Sequence, residues 1–104
     1  MKKIVLLGLL ALTACDTAWN RFDVRVADGE VVGAELRLCD RQVPLSRSGD
    51  RFTGVQPAKC EGHGEILVSF ADRQTASCHI GYVTPGLDQV FDFIVRDGRC
   101  EAVV

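Results

Sequence analysis

From Arg21 onward the chain alternates. Phe22, Val24 and Val26 take every second position and Arg21, Asp23 and Arg25 those between, which is the period of a strand with one buried face. After Asp28-Gly29, a pair that reads as a hairpin turn, alternation resumes over about Val31 to Cys39, with Ala34, Leu36 and Leu38 facing one way and Glu35 and Arg37 the other. Pro44 limits the next piece to a short edge, Ser46 to Asp50 reads as a turn, Phe52 to Val55 as a short strand and Gln56 to Gly64 as a loop. Ile66, Val68 and Phe70 share a face, as do Ala76, Cys78, Ile80 and Tyr82 in the following strand. Beyond the Thr84-Pro85-Gly86 turn, Phe91, Phe93 and Val95 line a late strand that ends at Asp97-Gly98. No stretch after residue 20 sustains a 3.6-residue apolar period. The pattern predicts an all-β domain over residues 21–104, a single antiparallel β-sandwich of about seven strands.

The first residues follow a different rule. In "MKKIVLLGLLALTAC", Lys2 and Lys3 precede an apolar run from Ile4 to Leu12 and then small residues, the layout of an export signal. The run is too short to span a bilayer, which takes about 20 apolar residues. Leu12, Thr13, Ala14 and Cys15 resemble the lipobox of bacterial lipoproteins. That resemblance covers residues 1–16 and implies a signal peptide over 1–14, diacylglycerol on the Cys15 thiol, cleavage just before it, and a lipidated tether over 15–20. Acyl chains at about 0.8 kcal/mol per buried CH2 would then hold the domain to a membrane without a spanning helix. The implied location is the bacterial cell envelope, facing the periplasm. Asp16 resembles the inner-membrane retention signal of enteric bacteria, but the rule differs between bacterial groups, so inner and outer membrane both stay open.

Loss of the leader removes Lys2 and Lys3 from twelve bases, keeps all fourteen acids, and takes the side-chain balance from −2 to −4. The remaining bases are scattered between Arg21 and Arg99. A mildly acidic chain without a basic patch has no electrostatic reason to bind nucleic acid.

With Cys15 lipidated, Cys39, Cys60, Cys78 and Cys100 remain, an even number in a compartment that permits disulfides. Of the three possible connectivities the preferred one is Cys39 with Cys60 and Cys78 with Cys100. Cys39 shares the outer face with Glu35 and Arg37 while Cys78 faces inward, which disfavours joining those two. Both bridges are expected to tie strand ends and loops rather than cross the core. Cys60, His63, Cys78 and His79 are of zinc-ligand type but lack two close chelating pairs, and adjacent Cys78 and His79 point to opposite faces of a strand. Neither a metal site nor a cofactor is expected.

Three segments, "DGEVVGAELRL", "SGDRFTG" and "GEILVSF", are similar to the opening of transthyretin-like sandwich domains such as the regulatory domain of carboxypeptidases. The likeness implies a transthyretin-like or immunoglobulin-like sandwich and no activity.

Catalytic chemistry is sparse. The chain has two histidines, no G-x-S-x-G elbow and no phosphate-cradling glycine loop. His63 lies in "EGHGE", a solvent-exposed turn by composition, and His79 alternates out of phase with Ile80. Sequence spacing gives neither a partner, and Asp88, Asp92 and Asp97 lack the spacing of a calcium loop. An enzyme is not expected. The distinctive exposed segment is "GYVTPGLD", whose Tyr82 and Pro85 are the candidate partner contacts, although Tyr82 has the core parity of Cys78 and Ile80. Trp19, the only tryptophan, lies close enough to Cys15 to rest at a membrane interface or to cap the sandwich edge.

The function expected is a membrane-anchored envelope lipoprotein acting as a non-catalytic binding module for an envelope protein or glycan. One alternative is a small inhibitor of a periplasmic hydrolase. "CEGHGEILVSF" is similar to the Cys-Gly-strand segment of lipoprotein inhibitors of lysozyme, where, however, the segment comes early in the chain. The other is a structural subunit of an envelope or secretion complex, since some secretion-system lipoproteins resemble transthyretin-like sandwiches.

Overall fold

The computed structural model describes residues 18–103, so the expected leader over 1–14, Cys15 and Asp16 lie outside the described residues. Nine strands follow one another: β1 (Trp19–Val26), β2 (Val31–Leu38), β3 (Arg41–Pro44), β4 (Ser46–Ser48), β5 (Arg51–Pro57), β6 (Gly62–Phe70), β7 (Thr75–Val83), β8 (Gln89–Arg96) and β9 (Arg99–Ala102). They form a sandwich of one sheet ordered β4-β5-β1-β8-β9 and another ordered β3-β2-β6-β7. The all-β sandwich is the architecture the alternation predicts. Two strands escaped that pattern because they are too short to alternate: β4 and β9 are hairpin partners folded back on the turns at Gly49-Asp50 and Asp97-Gly98.

The sheets are also not wholly antiparallel. β1 pairs antiparallel with β5 and parallel with β8, from Asn20 opposite Gln89 to Val26 opposite Val95. Both hydrogen-bonding edges of β1 are thereby occupied, and β2 has to pair elsewhere, with β3 and β6. Asp28-Gly29 is therefore not the hairpin that its composition suggests but a passage from one sheet to the other. Gly29 supplies the positive φ of 87° there, and the Asp28 carboxylate accepts the Asp97 N–H at 2.8 Å, tying two turns together.

The inward residues are those of the sequence pattern. Phe22, Val24, Phe93 and Val95 from one sheet meet Leu36, Ile66, Val68 and Ile80 from the other, all nearly free of solvent. Phe22 and Phe91 stack at 5.3 Å between ring centroids. β1 begins at Trp19, two positions before the expected boundary at Arg21, and Asn20 is the one buried polar residue among those described. Its amide makes no hydrogen bond among the described residues.

The sandwich is closed differently along its two edges. On one, Leu45 is buried between β3 and β4 and its N–H bonds the Ala34 carbonyl, so the chain itself steps across. On the other, Cys78 of β7 is joined to Cys100 of β9, with Cα atoms 5.0 Å apart. The second bridge, Cys39 to Cys60, spans 6.0 Å between the β2–β3 turn and the β5–β6 loop. The preferred pairing is thus present. Only Cys39–Cys60 ties turn to loop as expected, because Cys78 lies mid-strand on the edge that faces β9. Cys39 and Asp40, with φ of 58° and 56°, are the central residues of the two-residue β2–β3 turn, a conformation that side chains resist and that the bridge to Cys60 helps to hold.

Two outcomes follow from this construction. A Cβ on Gly64 would lie 2.8 Å from both the Arg37 carbonyl oxygen and Leu38 Cδ1, whereas one on Gly33 would meet nothing within 4 Å. Gly64→Ala should lower stability by about 1–3 kcal/mol in urea unfolding and Gly33→Ala should not. Cys39 is exposed while Cys78 is fully buried. Stepwise reduction with alkylation should therefore label Cys39 and Cys60 before Cys78 and Cys100, and loss of the buried bridge should cost about 2–4 kcal/mol.

Candidate functional site

The most chemically varied surface is the outer face of the four-stranded sheet, at the end where Cys39 and Cys60 meet. It depends on a bulge. Gly62 is opposite Val83 but Gly64 is opposite Ile80, so β7 spends three steps where β6 spends two. Past Ile80 the alternation of β7 is displaced by one residue. Val83 turns into the core and Tyr82, expected at the core edge by parity, is 52% exposed.

The histidines meet on the same face through the regular ladder before the bulge, where Glu65 pairs with His79 and His63 stands two positions from Glu65. His63 stands opposite the bulge, its ring 5.6 Å from that of Tyr82 in an edge-to-face arrangement and 5.8 Å from that of His79, stacked. Sequence spacing left these two histidines apart. Their meeting follows from which strand β6 pairs with and in what register, which spacing along the chain does not reveal.

Carboxylates frame the three rings. Tyr82 donates its phenolic hydrogen to Glu61 Oε2 at 2.8 Å, and Ser77 donates to Glu65 Oε1 at 2.7 Å. In register across the sheet, Arg37 lies opposite Glu65 and Glu65 opposite His79. Arg37 Nε is 3.1 Å from Glu35 Oε1. An open groove of about 770 Å³ continues from His63 and Glu61 over the Cys39–Cys60 bridge, with Arg37, Asp40, Arg41 and Gln42 on its other side.

The hydrogen bond to Glu61, then the small desolvation of the phenol, then the Glu61 charge raise the Tyr82 pKa above 10.0. Tyr82 is accordingly a neutral hydroxyl at neutral pH, with its proton already committed. Neither imidazole hydrogen-bonds a carboxylate among the described residues, and Glu61, Glu65 and Glu35 serve Tyr82, Ser77 and Arg37. Among the described residues no three His, Cys, Asp or Glu side chains converge in a way that could hold a metal ion. Cys60 and Cys78, which shared ligand type with the histidines, belong to separate bridges.

Pro85 lies in the exposed loop between β7 and β8, at the same end of the sandwich. That loop is braced: the Gly86 N–H bonds the Ala58 carbonyl, Thr84 N–H donates to Gln89 Oε1 at 2.8 Å, and Gln89 Nε2 donates to the Tyr82 carbonyl at 3.3 Å. The predicted contacts Tyr82 and Pro85 therefore share one end of the fold, together with Glu61, His63 and Arg37, none of which sequence reasoning selected as a partner contact.

Compared with known proteins, the chain matches no family model, no curated protein and no solved structure.

Tyr82 is the sole tyrosine, so absorbance titration reports on it alone. Its deprotonation should fall above the ordinary value of about 10, and Glu61→Ala, by removing both the hydrogen bond and the charge, should bring it down towards that value. An identical titration in the two proteins would show that the phenol and the carboxylate do not meet.

Proposed function

We propose that this chain is a lipid-anchored lipoprotein of the bacterial cell envelope, facing the periplasm, that binds an envelope protein or glycan without turning it over. The observation that carries the binding role is the exposed platform of Tyr82, His63 and His79, edged by Glu61, Glu65 and Arg37. Flat rings offer stacking area at little conformational cost, and the surrounding carboxylates and guanidinium offer directional hydrogen bonds.

Two features favour binding over catalysis. The phenol proton is held by Glu61, and the imidazoles contact each other through ring faces rather than through an orienting acid. Nucleophilic and acid–base mechanisms need the second arrangement. The anchor reading rests on Leu12 to Cys15 and the leader before them, and a membrane tether raises the effective concentration of a small binder towards partners held at the same surface.

The test is recovery of complexes from detergent-solubilised membranes of bacteria expressing the full chain. Wild type should incorporate labelled palmitate and bring down a partner. Cys15→Ser should lose the label and the membrane association. Tyr82→Ala or Pro85→Ala should weaken the complex several-fold and leave the fold unchanged by circular dichroism. A hydrolytic activity that disappeared in His63→Ala or His79→Ala would replace binding with catalysis.

A further inference from the structure

The outer face of the five-stranded sheet has a different character from the platform, and its composition changes along its length. At the N-terminal end of β1, Trp19 lies opposite Pro57, and Arg21 lies between Val55 on β5 and Val90 on β8. Trp19, Val55 and Val90 are 42%, 46% and 64% exposed, and Leu87 is exposed in the adjoining loop. Arg21 is exposed and makes no ion pair among the described residues. Two positions further along β1 the surface becomes charged, with Asp23 paired to Arg51 at 2.9 Å and Arg25 beyond it. The apolar half is the half where the described chain begins.

We infer that this Trp19–Val55–Val90 surface rests on the lipid bilayer, with Trp19 at the depth of the headgroups and Arg21 against lipid phosphate. The inference rests on the anchored reading of Cys15. Four residue steps separate Cys15 from Trp19, which lets the tether reach at most about 14 Å. A lipid on Cys15 then leaves this end of the sandwich no room to stand clear of the membrane. Tryptophan, aliphatic side chains and a free arginine are the groups that partition favourably into an anionic interface, the ring and aliphatics by burial and the arginine by charge. Exposed apolar side chains gathered on one face suit an interaction surface, and their position next to the tether selects lipid as the occupant.

Trp19 is the only tryptophan, so its fluorescence reports on this surface alone. The full-length, lipidated protein is reconstituted in phosphatidylethanolamine–phosphatidylglycerol vesicles, with or without bromine on the acyl chains, and recovered by flotation. The expected result is a blue-shifted emission in plain vesicles and loss of most of that emission in brominated ones. Val55→Ser with Val90→Ser should restore much of the emission, whereas Val32→Ser, an exposed valine on the other sheet, should leave the quenching unchanged. A protein that floats but keeps an unquenched, solvent-like Trp19 overturns the inference and leaves the anchor standing. Failure to float overturns both. A blue shift seen in native membranes but not in pure lipid also overturns it, in favour of a protein partner on this face.

Discussion

The parallel pairing of β1 with β8 is the constraint on which the rest of the molecule depends. It occupies the second edge of β1, sends β2 to the opposite sheet and so makes a sandwich rather than one long meander. Because the two strands run the same way, their N-terminal ends lie side by side. Trp19 N–H accordingly reaches the carboxylate of Asp88 at 2.8 Å, across a separation of 69 residues. Ala58 N–H bonds the Ala18 carbonyl and Gly86 N–H bonds the Ala58 carbonyl, so the start of β1, the β5–β6 loop and the β7–β8 loop are stitched into one end. An antiparallel pairing would have sent the first residues to the far end, away from Tyr82, His63 and Pro85.

What the sequence showed was the part of the fold governed by period two. Phe22 and Val24, Leu36 and Leu38, Ile66 and Val68, Phe93 and Val95 all face the core as alternation requires. Burial of one sheet face is a local demand that each strand records in its own residues. Pairing partners are recorded nowhere within a strand. Asp28-Gly29 has hairpin composition, yet the same residues serve an inter-sheet passage, because what decides between the two is whether β1 still has a free edge. Strand direction is illegible for the same reason, and the short hairpin partners β4 and β9 because three or four residues are too few to alternate.

The candidate site was hidden by a single residue. Up to Ile80 the parity of β7 is correct, with Cys78 and Ile80 fully buried. At Gly81-Tyr82 the bulge displaces the pattern, so Tyr82 leaves the core side and Val83 takes its place. A shift of one residue inverts every later orientation, and nothing in "HIGYVT" distinguishes a bulged from an unbulged continuation except the glycine. The loop-like neighbourhood of Tyr82 marks it as a contact, and the bulge supplies a different basis for its exposure. The histidines are not legible as a pair because cross-strand neighbours are set by the β6–β7 register, which neither strand records by itself.

The bridges then connect stability to the platform. Cys60 precedes Glu61, whose carboxylate holds the Tyr82 hydroxyl, and Cys78 lies between Ser77 and His79. Each disulfide therefore fixes backbone next to a group on the outer face, while its sulfur atoms lie at the turn or in the core. Fixing Cys60 to the β2–β3 turn limits the freedom of Glu61, and fixing Cys78 to β9 sets the outward direction of its two neighbours. A binding surface made of pre-positioned rings loses little further entropy when it meets a ligand, and more of the contact energy is then available as affinity. In a domain this small, the same two covalent links that compensate for a limited core also hold the surface proposed here for recognition.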